Sequence, residues 1–178
     1  MIEYFVKSAS NLSKEEIQTI AKHLDMNHIS IIEFRETFSS SDFHLLKDND
    51  TLLSFARINY DFILEIDNKH YNFAEFVGFL SIVKRTGNGS KLLMKIIENL
   101  KKNDVECIGF CEMPLRSFYE INAIEILYDK ASFIKEYVDG EWLSTADDDI
   151  LSINLSYKNK ILLSQLSISK PAFFIENI

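Results

Sequence analysis

Apolar positions along this chain recur with two periods, and the switches between them mark out its elements. "IEYFVKSA" has the aromatic and β-branched content of a strand. "SKEEIQTIAKHL" then sets Ile17, Ile20, Ala21 and Leu24 on one helical stripe, with Ser13 at the N-cap and Glu16 where a capping box needs it. "SIIEFRETFSSSDFHLL" follows neither period; its serine-rich centre reads as a loop or as a short helix starting at Ser41-Asp42. "TLLSFARINYDFILEID" and "KHYNFAEFVGFLSIV" predict neighbouring strands joined through a turn at Asp67-Asn68.

In the second half, "SKLLMKIIENLKKN" carries Leu92, Leu93, Ile96, Ile97 and Leu100 on the face of a helix packed against a sheet, and Asn103-Asp104 ends it. "VECIGFCEM" predicts a buried strand, and "PLRSFYEI" a short helix with Pro114 in its first turn. "IEILYDKASFIKEYVDGEWL" reads as one or two strands with a turn at Asp139-Gly140. "DILSINLSYK" alternates Ile150, Ser152, Asn154 and Ser156 against Leu151, Ile153, Leu155 and Tyr157, the period of a strand. The predicted order is β-α-(loop)-β-β-α-β-α-β-β, a mixed α/β sheet.

With 178 residues and 47% hydrophobic content, the chain supports one domain, residues 1–178, with a real core. A formal charge of -8 argues against a nucleic-acid partner; it suits a cationic partner, or serves solubility alone. No run reaches the ~18 apolar residues of a membrane span, and "MIEYFVKSASNLSKEE" lacks a signal-peptide pattern, so no membrane partner and a cytoplasmic location are expected. On a strand, Cys107 and Cys111 lie ~13 Å apart, which makes them core thiols rather than a disulfide. His23, His28, His44 and His70 have no metal-ligand spacing, so no metal is expected. The run Asp147-Asp148-Asp149 reads as a solvated turn before the last strand, or as the border of a site for a cation.

The stretch "VKRTGNGSKLL" places Gly87 and Gly89 between the strand and the helix. The first N–H groups of a helix lack intrahelical partners and point out along the positive end of its dipole. Glycines let a ligand approach the amides from Lys84 to Ser90, while Lys84, Arg85 and Lys91 add charge, so an extended anion such as a pyrophosphate fits. A tight connection that needs glycine only for its dihedrals is the plainer reading. P-loop, Rossmann and nucleophile-elbow patterns are not present.

"VKRTGNGSKLLMKII" resembles motif A of the GCN5-related N-acetyltransferases (GNAT), Arg/Gln-x-x-Gly-x-Gly/Ala, with Lys84, Gly87 and Gly89 at the patterned positions and Lys departing from Arg or Gln. The resemblance implies a GNAT-like α/β fold, a mixed, mostly antiparallel twisted sheet flanked by helices. It implies acetyl-CoA as co-substrate, with Lys84, Arg85, Thr86, Gly87, Asn88, Gly89, Ser90 and Lys91 around its pyrophosphate and the backbone of Ile82 and Val83 along its pantetheine arm. The family pattern Phe-Tyr-x-x-x-Gly-Phe maps onto Phe118, Tyr119, Ala123 and Ile124, which makes Tyr119 the donor of a proton to the coenzyme A thiolate; Ala and Ile depart from Gly and Phe.

Tyr128, in "LYDKASF", competes for that role, and the end of the helix decides between them: Tyr119 if it stops near Asn122, Tyr128 if it runs to Lys130. Glu75 stands in the apolar run "FAEFVGF", where burial raises a carboxyl pKa toward that of a general base, and several family members carry a glutamate here that takes the amine proton through water. An edge-strand or paired carboxylate is its plainer reading. "DFHLLKDNDTLLSFARI" and "DGEWLSTADDDILSINL" carry a looser likeness to the aminoglycoside 2'-N-acetyltransferases. The expected activity is N-acetyl transfer to a primary amine of a small cationic acceptor; a peptide or protein acceptor and a non-catalytic acyl-CoA-binding module are the alternatives. The tail "PAFFIENI" covers the core, caps the acceptor site or pairs subunits, a homodimer being a family-level expectation.

Overall fold

Strand β1 (Ile2–Ser8) lies antiparallel to β2 (Ser41–Asp48), Ile2 opposite Asp48 and Ser8 opposite Asp42. β2 lies antiparallel to β3 (Thr51–Ile66), with an irregularity between Leu46 and Lys47. A computed structural model describes residues 1–175 and divides the chain into two units. Unit 1 is Met1–Tyr60 with Phe76–Ile96; unit 2 is Asp61–Glu75 with the chain from Ile97 on. The division falls inside β3, inside β4 (Lys69–Ser81) and inside α3 (Asn88–Lys102).

In unit 1, α1 (Lys14–His23) starts on the expected capping box: Glu16 N–H donates to Ser13 Oγ, and Ser13 N–H to Glu16 Oε2. Glu16 is also buried, and it accepts Lys7 Nζ at 2.8 and 2.9 Å and Lys47 Nζ at 3.1 Å. Burial pushes its carboxyl pKa up, but these donors outweigh burial and hold it below the ordinary value. The ambiguous stretch resolves into two elements. A second capping box, Ser30 with Glu33, starts α2 (Ile31–Thr37), and the helix start read at Ser41-Asp42 is instead the first turn-out into β2. Strand alternation accounts for this: Phe43 and Leu45 enter a core with Ile17, Ile20, Phe34, Phe38 and Phe55, each fully buried side chain contributing about 1.5–3 kcal/mol. Tyr4 OH meets the buried His44 Nδ1 at 2.6 Å, and His44 Nε2 meets no partner among the described residues.

In unit 2, Asp67 (φ 52) and Asn68 (φ 57) form the expected turn between β3 and β4. Strand β5 (Cys107–Cys111) pairs antiparallel with β9 (Asp149–Ile153), and β6 (Glu125–Leu127) pairs with β9 as well. β7 (Ile134–Val138) and β8 (Glu141–Ser144) form a hairpin on Asp139 and Gly140, both left-handed. β10 (Ala172–Ile175) runs parallel to β7 and antiparallel to β3.

"IEILYDKASFIKEYVDGEWL" therefore supplies three strands rather than one or two. The strand read through Tyr157 stops at Ile153, because Asn154 turns left-handed (φ 55) and its amide donates to Val105 O at 3.0 Å. Ser156 then caps α5 (Tyr157–Ser164). The core of this unit joins Phe62, Leu64, Ile108, Ile134, Ile150 and Leu163. Cys107 and Cys111 are buried and form no disulfide. Of the tail "PAFFIENI", residues 172–175 are β10 and residues 176–178 lie outside the described residues. No described helix is long and apolar enough to cross a membrane.

Candidate functional site

In unit 1 the site begins on β4. Gly78 sits mid-strand at φ +62, a conformation that breaks the strand's alternation. Leu24, at the end of α1, lies 3.7 Å from where a Cβ would be, so the dihedral and not crowding requires glycine there. Past Ser81, the N–H groups of Ile82 and Val83 both donate to Leu53 O, at 2.9 and 3.4 Å. The Val83 carbonyl accepts the hydroxyls of Ser81 and Thr86, each at 2.9 Å, so a pantetheine hydrogen bond at Val83 would compete with bonds already made.

The turn proper places Arg85 (φ 61) and Gly87 (φ 75) in the left-handed region. Helix α3 follows, its first bond running from Lys91 N–H to Gly87 O at 3.0 Å, and buried Ser54 Oγ donates to Asn88 O at 3.4 Å. Residues 83–87 are exposed, and nothing lies within 4 Å of a Cβ at Gly87. Residues 76–97 include Lys84, Arg85, Lys91 and Lys95 and no acidic residue. An open backbone turn, a fifteen-residue helix beginning on it and a local run of positive charge together fit a diphosphate.

In unit 2 the short helix α4 (Arg116–Ile121) carries Tyr119, 5% exposed. It follows a 3-10 turn at Met113–Leu115 and stops at Ile121, the condition that favoured Tyr119 over Tyr128. Its end explains the sequence pattern: Ala123 takes φ 58, a conformation glycine adopts without cost, at the position where the family pattern has Gly. Burial, then the neighbouring Cys111 and Asp147, raise the Tyr119 phenol pKa above the ordinary tyrosine value. Burial and the adjacent carboxylates of Asp149 and Asp147 push the Cys111 thiol up to about 12. Tyr128 is 48% exposed after β6 and donates to Glu120 Oε1 at 2.6 Å. Glu75 is half-buried on β4, between the buried Ala74 and Phe76.

The three aspartates are not a solvated turn. Asp148 accepts the Met113 N–H at 2.7 Å. Asp149 is fully buried and takes Arg116 Nε at 2.5 Å, Arg116 Nη2 at 2.7 Å and the Asp129 N–H at 2.8 Å. Burial pushes the Asp149 carboxyl up, but Arg116 and the Asp129 amide outweigh it and leave the pKa below the ordinary value. Asp147 is the opposite case: burial, Glu112 and Asp148 raise its pKa. The pairing of Arg116 with Asp149 went unseen in the sequence, where they are 33 residues apart. Among the described residues no group of His, Cys, Asp or Glu is arranged to hold a metal ion.

No family model and no curated protein matches the sequence. Solved structures do. An acyl-CoA N-acyltransferase from Pseudomonas aeruginosa superposes with a TM-score of 0.55 at 9% identity, over 85% of this chain and 98% of that one. A GNAT-family protein from Desulfovibrio desulfuricans gives 0.53 at 10% identity, over 85% and 97%. The chain has the GNAT fold. A Clostridium acetobutylicum protein described as an acetyltransferase and solved with acetyl-CoA gives 0.50 at 12% identity, over 70% and 90%.

Proposed function

We propose that the protein is an N-acetyltransferase that moves the acetyl group of acetyl-CoA directly to a primary amine of a small cationic acceptor. The observation that carries this is the turn at 84–91: on a GNAT fold, two left-handed residues shape an exposed stretch, residues 83–87, that leads directly into α3 amid four basic side chains. Acetyl-CoA supplies the activated thioester. The turn holds its diphosphate through the amides of residues 87–90 and the charges of Lys84, Arg85 and Lys91, and Ile82 and Val83 lie along the pantetheine.

Glu75 takes a proton from the acceptor ammonium, through water. The free amine attacks the carbonyl carbon, the C–S bond breaks as the Tyr119 O–H protonates the departing thiolate, and the second proton of the attacking nitrogen passes through water to the Tyr119 oxygen, leaving the amide, the free thiol and a protonated Glu75. The raised pKa keeps the Tyr119 phenol protonated at neutral pH. Charge supports the acceptor class: unit 1 has ten basic against nine acidic residues, a formal +1, whereas unit 2 has nine against eighteen, a formal -9. Aminoglycosides and polyamines are cations of the kind such a surface attracts.

Isothermal titration with acetyl-CoA, on the wild type and on Gly89→Glu, tests the carrying observation. Binding that the variant loses supports the reading, and absence of binding in the wild type overturns it. Binding without acetylation across a panel of amines points to the acyl-CoA-binding module instead.

A further inference from the structure

Helix α4 is six residues long, too short to hold its own geometry, and no side chain caps its N-terminus. Its far end is closed by Ile124 N–H to Tyr119 O at 3.0 Å, Ala123 N–H to Glu120 O at 3.0 Å and the Asn122 side-chain amide to Phe118 O at 2.7 Å. At the near end, two successive aspartates leading into β9 grip the segment. Asp148 takes the Met113 amide, and Asp149 takes the Arg116 guanidinium through both oxygens. Arg116 lies three residues before Tyr119, on the same face of the helix. Asp149 sits directly opposite Cys111 in the β5–β9 ladder, and the Cys111 thiol lies 3.9 Å from Asp149 Oδ2. Cys111 is also one of the groups that act on Tyr119.

We propose that Arg116 and Asp149 are positioning residues for Tyr119: their two-pronged pair, closed on the buried Asp149 carboxylate, pins α4 to β9 and so fixes where the phenol O–H points. This rests on the acetyl-transfer reading for its consequence, but the geometry can be tested without it. The bidentate form is what gives the pair directional force, because two parallel N–H···O bonds fix rotation as well as distance. Asp129 Oδ1, 2.8 Å from Arg116 Nη2, braces the guanidinium from the solvent side.

The test titrates the tyrosine ring carbons by NMR in the full chain, with Tyr119→Phe identifying the Tyr119 signal. The groups facing that phenol are Cys111 and Asp147, and both are kept in every variant. In Asp149→Asn, and in the double variant Arg116→Met/Asp149→Leu, which leaves no buried charge unpaired, the Tyr119 signal is expected to titrate at lower pH as the loosened helix admits water. An unchanged titration in a folded variant overturns the proposal.

The second readout is kcat with acetyl-CoA and a polyamine, spermidine. Asp149→Asn is expected to lower kcat roughly tenfold or more with the KM for acetyl-CoA unchanged. It should lower kcat no further in a Tyr119→Phe background, since it acts through that residue. An equal loss in both backgrounds overturns the positioning role and leaves the acetyl-transfer reading standing. Full activity in Tyr119→Phe alone overturns the assignment of Tyr119 as the acid, while a moved Tyr119 titration would still support the pinning.

Discussion

The amide of Ile124 closes on the carbonyl of Tyr119 at 3.0 Å, and Ala123 between them is held at φ 58 to allow it. A Cβ in the left-handed region is strained, by about 1–2 kcal/mol in regular structure. Ala123→Gly is therefore expected to raise the unfolding free energy by about 0.5–1 kcal/mol, measured by urea denaturation. A decrease would mean that chain entropy outweighs the relieved strain.

The Arg116–Asp149 pair is asymmetric: Asp149 is wholly buried, while the Arg116 side chain keeps 23% of its surface exposed. Arg116→Met strands a carboxylate in the core, whereas Asp149→Asn leaves a guanidinium that can turn to solvent and to Asp129. Arg116→Met is expected to lower the melting temperature more. In the wild type the Asp149 pKa is depressed, so its contribution is complete above the unfolded aspartate value and is lost as pH falls through the folded one. The gap between wild type and Arg116→Met should accordingly narrow toward acid in thermal melts.

His44 is buried, and burial lowers its pKa from 6.5 to about 4. The unfolded chain takes up a proton near pH 6.5 that the folded chain refuses until about pH 4, so stability falls as pH drops through that window. The loss amounts to about 3 kcal/mol at its fullest. His44→Phe should flatten this part of the stability–pH curve in denaturant titrations. A curve as steep as that of the wild type would place the acid sensitivity elsewhere.

Tyr119→Phe removes a buried phenol O–H, whereas Tyr128→Phe removes an exposed one already bonded to Glu120. Loss of a positioned acid lowers kcat by about 10²–10⁴-fold. That loss is expected for Tyr119→Phe, with Tyr128→Phe close to wild type, in steady-state acetylation of spermidine. The reverse ranking would transfer the role to Tyr128.

Legibility followed the range of the interactions. The α1 capping box, the stripes of α1 and α3, and the Asp67-Asn68 turn were readable because each is settled within a few residues by hydrogen bonds or helical spacing. The start of β2 was not, since Ser41-Asp42 can also begin a helix and only the cores reached by Phe43 and Leu45 choose the strand. The strand predicted past Ile153 failed for a similar reason: Leu155 and Tyr157 keep the alternation, but Asn154 turns left-handed to reach Val105 O.

The sequence by itself determined the glycine turn, its cluster of basic residues and the short helix after β5, because these are local patterns of backbone freedom, charge and periodicity. Only the tertiary structure decided what the aspartates do. Asp148 and Asp149 look like solvated charge in the chain, and they become the grip on α4 because β9 pairs with β5 and brings a buried carboxylate to Arg116. Burial, too, is a property of packing: the same tyrosine spacing left Tyr119 and Tyr128 as rivals, and the fold enclosed one and exposed the other.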